Sequence, residues 1–354
     1  MSDPVRVLLV DDSLFVRRAV ERMLASEAGM EVVGTAGNGA EAVALAKELR
    51  PDVIVLDVNM PRLDGLQALR QIMAEAPSRV LMLSSMTREG ADTTLKALDL
   101  GAVDFLDKSS AGTVMDIYAL APALREKILA VAGAAVPHTP PDAVPTTAEV
   151  VADGPTGSAY EAIVIGASTG GPRGLLEILS RLPANFPTGI VIAQHMPWGF
   201  TETLAERLDS RSILEVREAS DRDRVQPGRA LIAPGGRQIS LQRRGDELAV
   251  RIEANQSELL HRPSVDFLFH SAAETVGDRA IGVILTGMGD DGATGLQAIR
   301  DAGGRTIAES EETAVIYGMP KVAAAAAERI VPVSQIPTTL VQICSERPAS
   351  EGTG

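Results

Sequence analysis

The sequence has very little cysteine, few aromatic residues and no excess of basic charge. Its 354 residues include one cysteine, Cys344, which excludes a disulfide framework and a cysteine-based metal site. Lys and Arg number 33 against 47 Asp and Glu, a net charge of -14, so we expect no binding to nucleic acid. Apolar runs fall short of the ~18 residues that a membrane span needs, and residues 1–10 lack a signal-peptide pattern. We therefore expect a soluble, cytoplasmic protein with no direct membrane insertion.

Chain length and the distribution of proline predict two domains. A chain of this length exceeds what one compact core normally covers. Residues 134–159 are rich in Pro, Ala and Thr and contain no Lys, Arg or aromatic residue, which is the composition of a linker. We predict a first domain over 1–130, a linker over 131–159, a second domain over 160–345 and a disordered tail over 346–354.

Short apolar runs alternate with helix-like segments in both halves, the pattern of parallel α/β sheets. Five runs before the linker predict a small flavodoxin-like domain, and the runs after it predict a doubly wound parallel α/β domain. The run ISLQRRGDELAVRIE has the pattern of a strand, a Gly-Asp turn and a second strand, and predicts a small antiparallel insert near residues 230–253. The alanine run 323–327 predicts a helix.

Acidic, hydroxyl and basic side chains follow the predicted strands of the first domain. Asp11 and Asp12 close the first strand, Asp57 the third and Ser84 the fourth, and Lys108 follows the fifth. Because the carboxyl ends of parallel strands line one crevice, these groups converge there. Clustered carboxylates repel one another unless a cation holds them, and their hard oxygen atoms suit Mg²⁺. We therefore predict phosphoryl transfer to Asp57, with Mg²⁺ and Lys108 offsetting the charge on the phosphoryl oxygens.

This domain resembles the receiver domains of response regulators. The resemblance rests on the motifs VDDS (10–13), LDVNMPRLDG (56–65), LSSMT (83–87) and GAVDFLDK (101–108). It implies a phosphoacceptor, Asp57, metal ligands Asp11, Asp12, Asp57 and the backbone carbonyl of Asn59, and switch residues Ser84, Phe105 and Lys108. Ser109 follows the lysine where a proline is usual, which leaves the isomer of that peptide bond open.

The run IVIGASTGG (163–171) is an apolar strand that breaks into a glycine turn with Ser168 at its centre. Residues 166–170 satisfy G-x-S-x-G, the pattern of a nucleophile elbow. A turn of this kind is also common as a helix cap or a phosphate-binding loop. However, Pro172 does not fit a Walker A loop, and Ser168 occupies the second glycine position of a dinucleotide fingerprint. We therefore take Ser168 as a candidate nucleophile.

A serine nucleophile needs a base, and the base needs an acid that orients it. His195 follows the predicted strand 189–194, and Asp290 and Asp291 follow the strand 281–287. All of these side chains therefore arrive at the edge of the sheet where Ser168 lies. The order Ser, His, Asp differs from the Ser, Asp, His order of α/β-hydrolases, so we do not expect that fold. The pattern leaves open which of the two aspartates pairs with His195.

Both halves together resemble the chemotaxis protein-glutamate methylesterases, the CheB family, apart from the linker and the tail. The motifs are IGASTGGP (165–172), AQHMPWGFT (193–201), PGRALIAPGG (227–236), HRPSVDFLF (261–269) and LTGMGDDGATG (285–295). The resemblance implies that Ser168 attacks the γ-carbonyl of a glutamyl methyl ester on a methyl-accepting chemoreceptor. It implies that His195 transfers the proton, that Asp291 orients His195, and that the backbone N–H groups of Thr169 and Met288 bind the oxyanion.

The same resemblance implies a chemotaxis histidine kinase as phosphodonor, no cofactor for ester hydrolysis, and deamidation of specific receptor glutamines as a second activity. The tandem arrangement motivates the hypothesis that the first domain covers the groove over Ser168 until Asp57 is phosphorylated. The alternative is a response regulator whose output domain is a non-catalytic interaction module.

Several residues near the motifs are ambiguous in the sequence. Gln238 stands where many members of the family have histidine, which indicates that a histidine there is not required for the chemistry. Arg262 is a candidate for contact with the substrate or for a structural ion pair. Trp198 and Phe200 are candidates for lining the groove or for packing on their own domain. His270 lies in a helical stretch, and we interpret it as structural.

Overall fold

The computed structural model describes residues 3–25, 29–85, 87–108, 114–135, 157–253 and 260–346. The chain divides into two compact units, residues 1–146 and 147–354. The last helix of the first unit ends at Gly133, three residues past the predicted domain end. Most of the predicted linker lies outside the described residues, as do residues 347–354 of the predicted tail. Within the described residues, none of the helices is long and apolar enough to cross a membrane.

The first unit is a five-stranded parallel sheet in the order β2-β1-β3-β4-β5, the strand order of flavodoxin-like folds. Its elements are β1 (Val5–Val10), α1 (Leu14–Ala25), β2 (Met30–Ala36), α2 (Gly39–Leu49), β3 (Val53–Asp57), α3 (Gly65–Glu75), β4 (Arg79–Ser84), α4 (Arg88–Asp99), β5 (Asp104–Asp107) and α5 (Ala121–Gly133). The strand order reverses between β1 and β3, so Asp11, which follows β1, and Asp57, which ends β3, flank the switch point. The predicted fold of this domain is confirmed.

The second unit is a seven-stranded parallel sheet in the order β14-β13-β12-β6-β7-β9-β8. Its elements are β6 (Ala162–Ala167), α6 (Gly171–Leu179), β7 (Gly189–Gln194), α7 (Thr201–Asp209), β8 (Glu215–Glu218), β9 (Arg229–Ile232), β10 (Gln238–Arg244), β11 (Glu247–Glu253), α8 (Val265–Thr275), β12 (Ala280–Ile284), α9 (Ala293–Asp301), β13 (Arg305–Glu309), α10 (Met319–Ala323), β14 (Arg329–Val331) and α11 (Ile336–Ser345). Every residue of β6, β7 and β12 is buried, as expected for central strands with helices on both faces. The predicted parallel α/β fold is confirmed.

The predicted antiparallel insert is the two-stranded hairpin β10–β11, in register from Gln238 opposite Glu253 to Arg244 opposite Glu247. The hairpin is separate from the main sheet and packs on α8. The backbone of Leu241 is bonded there twice, because its N–H donates to Ser271 at 3.0 Å and its carbonyl accepts from Thr275 at 3.1 Å. These two bonds hold the middle of β10 against the second half of α8.

Two features at the carboxyl-terminal end differ from expectation. The alanine run was predicted as a helix, but α10 ends at Ala323 and residues 324–326 form turns. The carbonyl of Ala326 accepts a hydrogen bond from Thr306 at 2.7 Å, so tertiary contact replaces the helical ladder. Glu346, the first residue of the predicted tail, forms two ion pairs: its carboxylate lies 2.7 Å from Arg305 and 3.2 Å from Arg329.

Candidate active site

Ser168 lies in a tight turn between β6 and α6, at the carboxyl edge of the seven-stranded sheet. Gly170 has a positive φ of 82°, and a Cβ on it would meet Val315 at 2.6 Å. Gly171 donates its N–H to the Ser168 carbonyl at 2.8 Å, and a Cβ on Gly171 would clash with the Gln194 side chain. The turn is therefore closed to larger residues at both positions. It leaves Ser168 half-buried at the strand end.

The neighbouring strand brings His195 to the same place. β6 and β7 pair with Ala167 opposite Gln194, and the His195 N–H donates to the Ala167 carbonyl at 2.9 Å. The other neighbour of β6 is β12, and the loop that follows β12 packs directly against the turn: a Cβ on Gly287 would lie 2.7 Å from the Ser168 Cβ. Three adjacent strands thus converge on Ser168.

His195 and Asp291 form a hydrogen-bonded pair. The distance from His195 Nε2 to Asp291 Oδ2 is 2.7 Å, and the two side chains are 11% and 9% exposed. Asp290, the other candidate, is exposed to solvent. The geometry therefore brings together Ser168, His195 and Asp291, and it distinguishes between two aspartates that the sequence pattern alone leaves equivalent.

The Asp291 carboxylate is also bound by the start of α8. Its Oδ1 accepts from Ser264 Oγ at 3.0 Å and from the Asp266 N–H at 2.9 Å, and its Oδ2 accepts from the Val265 N–H at 2.8 Å. Burial by itself would raise the pKa of Asp291. The hydrogen bond and charge of His195 and the two backbone N–H groups outweigh burial and lower this pKa to about 2. The carboxylate is therefore ionised throughout the physiological pH range.

His261 stacks on His195, a contact that the sequence interpretation missed. The two imidazole centroids are 4.1 Å apart and the rings are inclined by 16°. His261 belongs to the turn before α8, and the buried Gln238 side chain holds that turn. The Gln238 amide donates to the His261 carbonyl at 2.8 Å and accepts from the Ser264 N–H at 2.7 Å. The motif HRPSVDFLF marked this segment, but the sequence shows no signal for a ring contact with His195.

The predicted oxyanion residues lie on both sides of Ser168. Thr169 is buried, and its carbonyl accepts from Thr286 Oγ1 at 2.9 Å. Met288 lies in the loop that follows β12, one residue after Gly287, which packs against Ser168. The two backbone segments that would supply the oxyanion donors therefore flank the serine. Their role in binding an oxyanion stays a prediction.

The ambiguous residues take different places. Trp198 is 65% exposed, whereas Phe200 is completely buried and packs inside its own domain. Arg262 is exposed. His270 lies on α8 with its Nε2 3.2 Å from Thr294 Oγ1, consistent with a structural interpretation. Trp198, Arg262 and His270 are thus exposed, and the first two lie close in sequence to the stacked histidines.

The first unit contains the predicted acidic cluster. Asp11, Asp12 and Asp57 each present a carboxylate oxygen, and these atoms lie within 4.8 Å of one another. Lys108 Nζ lies 2.8 Å from Asp57 Oδ1 and 3.3 Å from Asp11 Oδ2. Three carboxylates with one ammonium leave an excess of negative charge, and hard oxygen ligands of this kind fit Mg²⁺. The residues present therefore suit the metal that the sequence predicts.

Burial is the largest influence on the Asp57 carboxylate. It raises the pKa of Asp57 to about 6, although Lys108 acts in the opposite direction. Burial would lower the pKa of Lys108, but the charges of Asp57 and Asp11 outweigh it, and that pKa is raised. A cation that takes the place of the proton would therefore stabilise the ionised carboxylate of Asp57. Asn59 is exposed, and its backbone N–H contributes a hydrogen bond to Asp57.

Two of the three predicted switch residues, Ser84 and Phe105, are buried, whereas the Lys108 side chain is partly exposed. Ser84 Oγ accepts from Thr94 Oγ1 at 2.6 Å and lies 3.4 Å from the Gly90 carbonyl, so its hydroxyl is engaged by the first turns of α4. Phe105 is 5% exposed, and the Lys127 ammonium lies 6.0 Å from the centre of its ring. A switch role for this pair remains a prediction.

The two folds and their polar clusters define a class of protein: a receiver-type unit followed by a parallel-sheet unit that brings Ser, His and Asp to one edge. This chain belongs to the CheB methylesterase family. The family model for the CheB methylesterase matches residues 163–340, and that for the response regulator receiver domain matches residues 7–117.

Individual relatives agree with this membership over both halves. A protein of Pseudomonas aeruginosa named protein-glutamate methylesterase/protein-glutamine glutaminase 2 is 44% identical over 346 residues, which cover 97% of this chain and 98% of that protein. A protein of Oleidesulfovibrio alaskensis named protein-glutamate methylesterase/protein-glutamine glutaminase 1 is 42% identical over 341 residues, which cover 90% of this chain and 92% of that protein. The crystal structure of the Thermotoga maritima CheB methylesterase catalytic domain is 43% identical with a TM-score of 0.51, and the match covers 52% of this chain and 99% of that domain.

Proposed function

We propose that the second domain hydrolyses glutamate γ-methyl esters on methyl-accepting chemoreceptors, with release of methanol, and deamidates specific receptor glutamines. The observation that carries the proposal is the 2.7 Å pair of His195 and Asp291 beside the Ser168 turn. The names of the relatives supply the ester and the glutamine as substrates. Both reactions pass through the same tetrahedral intermediate and differ in the leaving group, methanol or ammonia.

The hydrogen bond to Asp291 assigns the two nitrogens of His195. Because an ionised Asp291 can only accept a hydrogen bond, the neutral imidazole carries its hydrogen on Nε2 and leaves Nδ1 as the acceptor for the Ser168 hydroxyl proton. Ser168 Oγ then attacks the ester carbonyl as His195 takes the proton. The bond between the carbonyl carbon and the methoxy oxygen then breaks as His195 returns the proton to that oxygen, and methanol leaves. Water attacks the acyl group in turn, with His195 again taking and returning the proton, and the glutamate carboxylate is released.

The charge that develops on the carbonyl oxygen needs donors that are already in place. We assign this role to the backbone N–H groups of Thr169 and Met288, which belong to the two segments flanking Ser168. The tight glycine turn supports this assignment, because it fixes the direction of the Thr169 peptide relative to Ser168 Oγ.

The first domain supplies the control. We propose that a chemotaxis histidine kinase donates a phosphoryl group to Asp57 and that this raises the rate of ester hydrolysis. Asp11, Asp12, Asp57 and the Asn59 carbonyl would hold Mg²⁺, which neutralises charge on the phosphoryl oxygens. Lys108, already 2.8 Å from Asp57, holds a positive charge at the acceptor.

Methanol release from methylated receptor membranes tests the catalytic proposal. The wild-type protein should release methanol, and Ser168→Ala should lose nearly all turnover while its folded content, measured by circular dichroism, stays unchanged. Equal output from both proteins would instead support the non-catalytic interaction module. A small-molecule acyl phosphate with Mg²⁺ should stimulate the wild-type protein but not Asp57→Asn. Stimulation of both to the same extent would contradict control through Asp57.

A further inference from the structure

The hydrogen bond to Asp291 fixes His195 at one nitrogen only. A ring held at a single edge can still tilt about the Nε2–Oδ2 direction. This tilt moves the opposite edge, which carries Nδ1, the proposed acceptor of the Ser168 proton. His261 restricts that movement because its ring lies face to face with His195, with centroids 4.1 Å apart and planes inclined by 16°. Stacked aromatic rings at this separation attract one another and resist tilting.

The backbone that carries His261 is itself held firmly. Gln238, the first residue of β10, is 1% exposed and bonds both ends of the turn: the His261 carbonyl at 2.8 Å and the Ser264 N–H at 2.7 Å. Between them, the Arg262 carbonyl accepts from the Gly236 N–H at 3.0 Å. The turn 261–264 is therefore anchored to the β9–β10 segment at three points.

The same turn contacts both members of the catalytic pair. At its start, His261 stacks on His195. At its end, Ser264 Oγ donates to Asp291 Oδ1 at 3.0 Å. A shift of the turn would therefore displace the base and its acid together, and the placement of Nδ1 relative to Ser168 depends on it.

We propose that His261 is a positioning residue for His195: its ring sets the plane of the catalytic imidazole and thereby the direction of Nδ1. The proposal rests on the proposed function of Ser168 and His195 and adds a further residue to it. The stack requires an aromatic ring and does not require a proton on His261. A flat ring without nitrogens should therefore serve in its place, whereas an aliphatic side chain should not.

Three variants of the full-length protein separate these roles. We expect His261→Ala to lower kcat about 10- to 100-fold, the range expected for a displacement of a catalytic group by a fraction of an ångström to an ångström, with KM within about twofold. His261→Phe should restore most of kcat. His270→Ala is the matched control, since His270 lies on α8 away from the stack, and it should behave as the wild-type protein.

Proton nuclear magnetic resonance gives a second readout that does not depend on turnover. In the wild-type protein, the carbon-bound ring protons of His195, assigned by their loss in His195→Gln, should be shifted upfield of those of His270 by the stacked ring. The shift should disappear in His261→Ala and persist in His261→Phe. Because the wild-type spectrum alone tests the stack, the measurement remains decisive if the alanine variant fails to fold.

Three results would overturn the proposal. The first is wild-type kcat in His261→Ala, and the second is a loss in His261→Phe as large as in His261→Ala, which would point to proton transfer by His261. The third is an unshifted His195 spectrum in the wild-type protein. Failure of the proposed function is distinguishable, because it would appear as a wild-type protein that releases no methanol, whatever the spectrum of His195.

Discussion

The carboxylate of Asp291 bonds His195 at 2.7 Å and at the same time accepts two backbone N–H groups at the start of α8. One side chain therefore orients the candidate base and satisfies a helix terminus. Because the positive end of the helix favours an anion there, the ionised state of Asp291 is a property of the fold as well as of the site. Substitutions around this carboxylate should affect activity and stability together.

Asp291→Asn should lower kcat by about 10³- to 10⁴-fold. An amide keeps the shape of the carboxylate, but it removes the charge that favours the His195 imidazolium and the acceptor that fixes its tautomer. Asp290→Asn, one residue earlier and exposed, is the matched control and should stay within about twofold of the wild-type kcat. Steady-state kinetics of methanol release measures both, and a larger loss at Asp290 would contradict the pairing with Asp291.

Ser264→Ala should destabilise the second domain by about 1 kcal/mol, the typical cost of removing a helix N-cap. Ser264 Oγ accepts from the Phe267 N–H at 3.3 Å and donates to Asp291 Oδ1 at 3.0 Å. The loss of the second bond should also reduce kcat, and by much less than Asp291→Asn, because His195 keeps its acceptor. Urea unfolding and kinetics on the same preparation measure the two effects. A stability change without any change in kcat would show that Ser264 acts only as a cap.

Two glycines of α6 should respond oppositely to alanine. A Cβ on Gly171 would clash with the Gln194 side chain, so Gly171→Ala should displace the Ser168 turn and lower both the melting temperature and kcat. A Cβ on Gly174 finds its nearest neighbours at 3.6 Å, an ordinary contact distance. Gly174→Ala should therefore leave kcat unchanged and stabilise the helix by about 0.5–1 kcal/mol. Similar behaviour of the two variants would contradict the crowding at Gly171.

The stability of the first domain should depend on the protonation of Asp57. The folded-state pKa of Asp57, about 6, lies above the ordinary value of 3.8, so its contribution is fully present below pH ~4 and is lost as the pH rises through 6. Without Mg²⁺, Asp57→Asn should therefore stabilise the domain at pH 8, by up to about 3 kcal/mol, since each pKa unit corresponds to about 1.4 kcal/mol. The difference should shrink toward zero below pH ~4.

Native-state hydrogen exchange of the β1 and β3 amides measures this stability within one unit of the two-domain chain. At pH 8, addition of Mg²⁺ should make the first domain of the wild-type protein more stable than that of Asp57→Asn, because the cation stabilises the ionised carboxylate. A difference between wild type and Asp57→Asn that is independent of pH would contradict the raised pKa.

The strands that form the two sheet centres could be predicted from sequence, because continuous apolar runs bounded by Gly, Asp or Ser are typical of buried parallel strands. Three strands of the second sheet were missed, the edge strands β8 and β14 and the neighbouring β13. Three of the four residues Glu215–Glu218 are charged, β13 has a charged residue at each end, and Arg329–Val331 is only three residues long. Local propensity also failed at the alanine run, where Thr306 takes a carbonyl that a helix would have used.

At the site, strand ends predicted which functional groups meet but not how they touch. The sequence places Asp290 and Asp291 at the same loop, and only the path of that loop turns one inward and leaves the other in solvent. The stack of His261 on His195 joins residues 66 positions apart through a turn that Gln238 holds. Contacts of this kind depend on tertiary packing of three separate segments, which no local pattern encodes.

The position of β12 beside β6 has a consequence for the order in which a newly made chain acquires its chemistry. Asp291 is 96 residues beyond His195, so at ~5–20 residues per second it leaves the ribosome about 5 to 20 s later. Until then, the nascent chain carries a serine and a histidine without the aspartate that orients them. The receiver unit, which ends by residue 146, has been synthesised long before. Translation thus completes the regulatory half of the protein before the hydrolytic half can be assembled.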